Sequence, residues 1–292
     1  MKVERCKGEP DIVHLKSFAQ QLRRDALHMI YNAKSGHIGG SLGIAEYVAA
    51  LYGYVMQTDS DNPLDPDRDR FVLSNGHTCA TYYAALARTG HIPLSELATF
   101  RKMGSRLQGH PSRVALSPFV ETSTGPLGQG FSVANGIALS IRQRASKARV
   151  YCILGDGEMQ EGQVWEAFMT ASHYHLSNMT VLINNNRLQI DGPVKEVMNL
   201  DNLSSRLSSF GWNVLEIDGN DMNEVVNALK EAVAYTAGPT VILGNTLMGK
   251  GVPFMEDLAS WHGNCPTQEQ TISALESVGC NDEYHDCKEF VK

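Results

Sequence analysis

A Gly155-Asp156-Gly157 turn follows the apolar run 150–154, and Asn186 follows a second apolar run, 180–183, thirty positions after the aspartate. Between them, residues 163–176 carry helical spacing, so the unit predicts strand, turn, helix, strand. A crossover of this kind is right-handed and makes the two strands parallel. Their carboxyl ends then share one sheet edge, which is where open α/β sheets bind ligands. A carboxylate and an amide oxygen converging there suit Mg²⁺ or Ca²⁺, with phosphate oxygens completing the shell. The glycines let backbone amides approach such phosphates closely. Gly-Asp-Gly alone is ordinary turn chemistry. The asparagine at this spacing, between two apolar strands, is what points to a site.

Strands and helices alternate along the rest of the chain. Residues 11–33 place Ile12, Leu15, Phe18, Leu22, Ala26, Met29 and Ile30 at helical spacing. The stretch 34–40 breaks that helix, and Ser41 is placed to cap a second one running to about Met56. Segment 59–69, with two prolines and five aspartates, predicts a solvated loop. A short strand at 71–74 leads to Gly76-His77, which opens a helix through Leu86. A glycine-rich loop, 125–130, precedes an alanine-rich helix from about 132 to 145. A strand (213–217), a helix (224–235) and a strand (240–243) follow the metal-type unit, and a polar helix and loose tail begin near 268. The pattern predicts an α/β fold: a doubly wound, mainly parallel sheet with helices on both faces. It predicts one domain over residues 1–292, with 268–292 as a C-terminal extension.

Bulk properties exclude several classes. A formal charge of −7 over 292 residues gives no electrostatic footprint for nucleic acid. No apolar run approaches the roughly 18 residues needed to span a bilayer. The charged start, Met1 to Arg5, has no apolar segment after it, so a cytoplasmic location is expected. Cys6, Cys79, Cys152, Cys265, Cys280 and Cys287 contain no CxxC pair, and reduced thiols are expected.

Four of the ten histidines stand in glycine settings: His37 in Ser-Gly-His, His77 in Ser-Asn-Gly-His, His110 in Gly-His-Pro and His262 in Trp-His-Gly. A single histidine is more often structural than catalytic. Four in glycine-flanked loops point to one shared pocket, where imidazole would transfer protons near neutral pH or donate to hydroxyls and a diphosphate. His14, His28, His91, His173, His175 and His285 are read as structural. His173 and His175, two positions apart, do not share a helix face and make a poor metal pair.

The Asp156 to Asn186 unit resembles the thiamine diphosphate and metal motif. The stretches SGHIGGSLG, DRDRFVLSNGH, GSRLQGHPS, STGPLGQG, GDGEMQEGQVWEA, NNNRLQIDGPV and MGKGVPFMEDLASWHG together resemble the N-terminal, diphosphate-binding half of transketolase, in the family's order from about residue 35 to 263. The resemblance implies that Asp156, Asn186 and the backbone carbonyl of Leu188 hold a divalent metal, Mg²⁺ or Ca²⁺. It implies cofactor contacts from Gly125, Pro126, Leu127, Gly155, Asp156, Gly157, Glu158, Asn186, His77 and His262. His37, His77, His110 and His262 match histidines of the substrate channel, and Glu161 and Glu166 match acidic residues at an interface between subunits. Ile38 stands where the family usually has proline, which loosens a turn and keeps the histidine.

The large departure is length. Full-length members carry a second domain that binds the aminopyrimidine ring and supplies the activating glutamate, then a third domain; neither is found here. The resemblance therefore implies the N-terminal subunit of a split, thiamine diphosphate-dependent transketolase. It would move a two-carbon ketol unit from a ketose phosphate to an aldose phosphate, the cofactor carrying the carbanion chemistry. The partner would be a C-terminal subunit with the pyrimidine-binding domain, in a two-plus-two heterotetramer. Open alternatives are ketol transfer on a sulfo- or branched sugar, a related component such as a deoxyxylulose-phosphate synthase or a dehydrogenase, and a non-catalytic homologue.

Overall fold

In the computed structural model, which describes residues 1–280, five strands form one sheet. In chain order they are β1 (Arg70–Leu73), β2 (Val150–Gly155), β3 (Met179–Asn185), β4 (Asn213–Asp218) and β5 (Thr240–Asn245), lying side by side as β1-β2-β3-β5-β4. Every neighbouring pair is parallel, so all five carboxyl ends face one edge. Gly155 of β2 is level with Asn184 of β3, which puts Asp156 and the end of the asparagine run at the same height.

Alternate residues feed two cores. Val150, Cys152 and Leu154 pack with α5 (Gln129–Gln143), α6 (Gly162–His173) and α7 (Leu203–Ser209) on one face. Tyr151 and Ile153 pack on the other with α1 (Ile12–Ala33), α2 (Ile38–Gly43), α3 (Ala45–Ala50), α4 (Cys79–Arg88), α8 (Met222–Ala234) and α9 (Gln268–Val278). The strand order explains this division. The chain steps one way from β2 to β3 to β4 and back from β4 to β5, so right-handed crossovers put α8 on the face opposite α6 and α7. Helix α9 buries Ala274, Leu275 and Val278 in the core that α1 builds. Its start is a capping box between Thr267 and Gln270.

Three expectations change. The second helix starts at Ile38, and Ser41 is inside it; the Ser41 hydroxyl donates to the His37 carbonyl at 2.7 Å. That helix also breaks at Ile44 and ends in a π-turn, Leu51–Val55. The 59–69 segment is not solvated throughout. Asp69 is fully buried, ion-paired with Arg5, and accepts the Gln57 and Arg149 amides at 2.8 and 2.7 Å. Cys6, Cys79, Cys152 and Cys265 are free, but Cys280 is disulfide-bonded; the lack of a CxxC spacing says nothing about cysteines that folding brings together. The predicted tail lies outside the described residues. No described helix is long and apolar enough to cross a membrane.

Candidate active site

The loops that leave the carboxyl edge enclose a cavity of about 280 Å³. It brings together His37, His77, His110, His262, Asp156, Asn186 and Leu188. Gly125, Leu127, Gly155, Gly157 and Glu158 complete the predicted lining. Pro126 is exposed and is not part of the wall.

Asp156 immediately follows β2 and is almost wholly buried. Its Oδ1 accepts the Gly157 amide at 2.9 Å and its Oδ2 the Arg187 amide at 2.5 Å. Burial pushes its pKa up to about 7, against the lowering effect of those amides. The three asparagines at the carboxyl end of β3 have separate tasks. Asn184 accepts the Thr246 hydroxyl at 2.6 Å, and Asn185 donates to Asn245 at 3.0 Å, so both tie β3 to β5. Asn186 turns its side chain back to accept the Leu188 amide at 3.0 Å and faces the cavity. No group of three or more His, Cys, Asp or Glu side chains suited to a metal occurs among the described residues. A cation here would rest on one carboxylate, one amide oxygen and backbone oxygen, which is a hard donor set.

Glu158 has a different position from a simple ligand contact. Its Oε1 accepts the Ser74 hydroxyl at 2.5 Å and the Gly128 amide at 2.7 Å, and its Oε2 the Gly155 amide at 3.1 Å. Both oxygens are thus occupied by protein donors, and the residue fastens the glycine loop 125–128 to the ends of β1 and β2. Burial pushes its pKa up to about 7. Within that loop Gly125 has φ +148°, and a Cβ there would sit 3.4 Å from the His110 ring. Glycine keeps the loop under the histidine and accessible to a ligand.

The four histidines meet above this floor. The His37 ring centroid lies 5.1, 6.4 and 5.7 Å from those of His77, His110 and His262, and His77 is 5.3 Å from His262. Burial lowers His37 to about 4 and His77 to about 3, with the neighbouring histidines adding to the effect. Burial also lowers His110 and His262. Neutral imidazoles are the form that accepts a proton, and each ring also offers an N–H. The Nδ1 atoms of His37 and His262 are buried with no partner.

Asn75 was missed by sequence reasoning. It is 1% exposed, lines the cavity, and neither of its amide atoms has a partner. Its position two residues before His77 in Ser-Asn-Gly-His was the available signal. Thr124 Oγ1, also orphaned, stands beside the glycine loop. Buried polar atoms without partners are costly, so this concentration of them marks a place where a polar ligand completes the hydrogen bonding. Glu161 and Glu166 are exposed at the start of α6.

Comparison with known proteins agrees with this geometry. The chain is 37% identical over 260 residues to an apulose-4-phosphate transketolase subunit from Phocaeicola vulgatus, covering 89% of this chain and 92% of that protein. It is 38% identical over 270 residues to a 6-deoxy-6-sulfo-D-fructose transketolase subunit from a Clostridium species, covering 91% and 98%. Transketolase from Leishmania mexicana superposes with a TM-score of 0.88 at 31% identity, over 95% of this chain and 44% of that one. The chain therefore spans less than half of a solved transketolase, yet nearly all of the subunit-type relatives. The family described as transketolase, thiamine diphosphate binding domain, matches residues 15–290, and the chain belongs to it.

Proposed function

We propose that this chain is the diphosphate-binding subunit of a split transketolase, transferring a two-carbon ketol unit from a ketose phosphate to an aldose phosphate. The observation that carries the reading is the meeting of four neutral histidines over a glycine floor beside Asp156 and Asn186. The residues fit the cofactor. Asn75, His37 and His262 offer unpaired polar atoms to it, and the buried Asp156 carboxylate has lone pairs left for a cation. Asp156, Asn186 and the Leu188 carbonyl would hold Mg²⁺ or Ca²⁺. Gly125, Leu127, Gly155 and Gly157 would let the diphosphate approach the backbone, with Pro126 shaping the loop from outside and Glu158 fastening it.

Bound there, thiamine diphosphate supplies the nucleophilic carbon and the electron sink. The chain's own residues orient the substrate and move protons. Neutral His77 and His262 take a proton from a substrate hydroxyl at the free ring nitrogen and return it, while His37 and His110 donate to substrate oxygens where charge develops.

The near end-to-end match to proteins named as subunits supports a partner subunit. That partner would carry the pyrimidine-binding half, in a two-plus-two assembly with Glu161 and Glu166 at the interface. The fold is read as one domain with residues 268–292 as an extension, in a cytoplasmic enzyme. A second reading concerns the sugar. The two subunit-type relatives are named for apulose-4-phosphate and 6-deoxy-6-sulfo-D-fructose, which supports ketol transfer on a sugar of either class as the alternative to a common ketose phosphate. The test is a ketol-transfer assay with cofactor and Mg²⁺, first on the lone chain and then with the candidate partner. Transfer that appears only with the partner supports the reading, and full transfer by the lone chain overturns it.

A further inference from the structure

Arg101 stands beside two of the four histidines and belongs to no cofactor or metal contact described above. Its Nη1 donates to the Ser35 hydroxyl at 2.6 Å, and its Nη2 to the Gly109 carbonyl at 3.2 Å. Ser35 is two residues before His37, and Gly109 immediately precedes His110. One guanidinium therefore ties the two loops that present these histidines, whose rings lie 6.4 Å apart.

The backbone is shaped around this contact. Arg101 itself has φ +56°, a conformation a non-glycine residue adopts only when its surroundings hold it. Its amide donates to the Leu107 carbonyl at 2.8 Å, which closes the 101–107 loop beneath the guanidinium. A Cβ at Gly109 would sit 3.0 Å from the guanidinium carbon, so glycine admits the side chain to the loop backbone. The Arg101 Nε is buried and has no partner.

We propose that Arg101 is a positioning residue that clamps the His37 and His110 loops together and sets these two rings to donate to substrate oxygens. The role in turnover rests on the ketol-transfer reading; the clamp does not. A rigid bidentate fork suits the task, because it fixes direction as well as distance. The guanidinium also acts on the charge of both rings. After burial, Arg101 is the largest cause lowering His110, and it lowers His37 together with His262 and His110. His77 and His262 are not under its influence. The groups facing His37 are thus His77, His110, His262 and Arg101. Beneath the His110 loop, the Cys79 thiol approaches the Gly109 carbonyl at 3.2 Å, and the Tyr83 hydroxyl the Gln108 carbonyl at 2.9 Å. Burial pushes both of their pKa values up, Cys79 to about 12, so neither brings charge to the loop.

The experiment is histidine NMR titration of the full chain, alone, in wild type, Arg101→Gln and Arg101→Lys, followed by kinetics of the same proteins with the partner. In Arg101→Gln, His37 and His110 should titrate at higher pH while His262 stays in place. A loss of fold would move all of them, so His262 and His91 serve as internal references. In Arg101→Lys the charge stays and the fork is lost, so the titrations should stay near wild type while turnover falls about tenfold or more. Ser35→Ala removes one tie from the surface, covers the case in which arginine variants do not fold, and should lower turnover severalfold. Unmoved His37 and His110 titrations in Arg101→Gln, or wild-type turnover in Arg101→Lys and Ser35→Ala, overturns the proposal. If the ketol-transfer reading fails instead, the titrations still report on the clamp.

Discussion

Replacing Glu158 tests whether the floor of the site is built as described. Its carboxylate meets two backbone amides, Gly128 and Gly155, and one hydroxyl, Ser74, at 2.7, 3.1 and 2.5 Å. The Ser74 hydroxyl can turn to another acceptor, but the two amides are fixed by the loop and by β2. Glu158→Ala leaves both without an acceptor in a buried place, at about 1–3 kcal/mol each, or roughly 2–6 kcal/mol together. Glu158→Gln can keep an oxygen toward Gly128 and Ser74, but it sets an NH₂ against the Gly155 N–H. One orphaned donor costs about 1–3 kcal/mol. The order of stability should be wild type, then Gln, then Ala, with a fall in melting temperature for Ala of roughly 5–15 °C. Loop 125–128 should also loosen, so calorimetric affinity for thiamine diphosphate drops in the same order. Urea unfolding of the full chain reads the first effect. An alanine variant within about 0.5 kcal/mol of wild type would refute the argument, because ordinary surface substitutions do no more.

Further outcomes follow from the same geometry. Asp156→Ala should abolish Mg²⁺-dependent retention of thiamine diphosphate in the presence of the partner, and Asn186→Ala should weaken it less, since a neutral amide contributes less; wild-type affinity in the Asp156 variant by titration calorimetry would remove the metal assignment. His77→Ala and His262→Ala should reduce turnover more than cofactor affinity, as for groups acting mainly in the transition state, and steady-state kinetics beside calorimetry separates the two. The His77 pKa is depressed to about 3 in the fold, chiefly by burial, against 6.5 for an ordinary histidine, so the unfolded chain binds the extra proton. Stability from this group is present above pH 6.5 and is lost as pH falls toward 3, at about 1.4 kcal/mol per unit. Urea titrations from pH 7 to 4 should show that acid limb in wild type and a shallower one in His77→Asn.

The fold was legible wherever both faces of a strand are buried. The apolar runs that became β2 and β3 can be read without knowing their neighbours, because a strand covered on both sides is apolar at every position. Features set by distant partners were not legible. Asp69 looks solvated among prolines and aspartates, yet Arg5, 64 residues away, and the amides of Gln57 and Arg149 bury it. Ser41 has the chemistry of an N-cap, but the chain already turns helical at Ile38, and its hydroxyl bonds back to His37 instead. The site divides in the same way. Gly155, Asp156 and Asn186 could be placed at one edge from local order alone, since a parallel pair fixes where both strands end. The four histidines could be grouped only by their glycine settings; their meeting depends on α1, α4 and the 107–110 loop packing over that edge. Asn75 has only its place beside His77 as a local signal, and Arg101 has none. Asn75 matters because both of its amide atoms lack partners in a cavity, and Arg101 because it touches two loops at once. Each is a relation between elements, which the patterning of a single chain does not express. Residues of that kind are also the ones whose substitution separates positioning from contact, which is why the arginine fork, with an internal reference in His262, is the sharper probe of how these histidines are set.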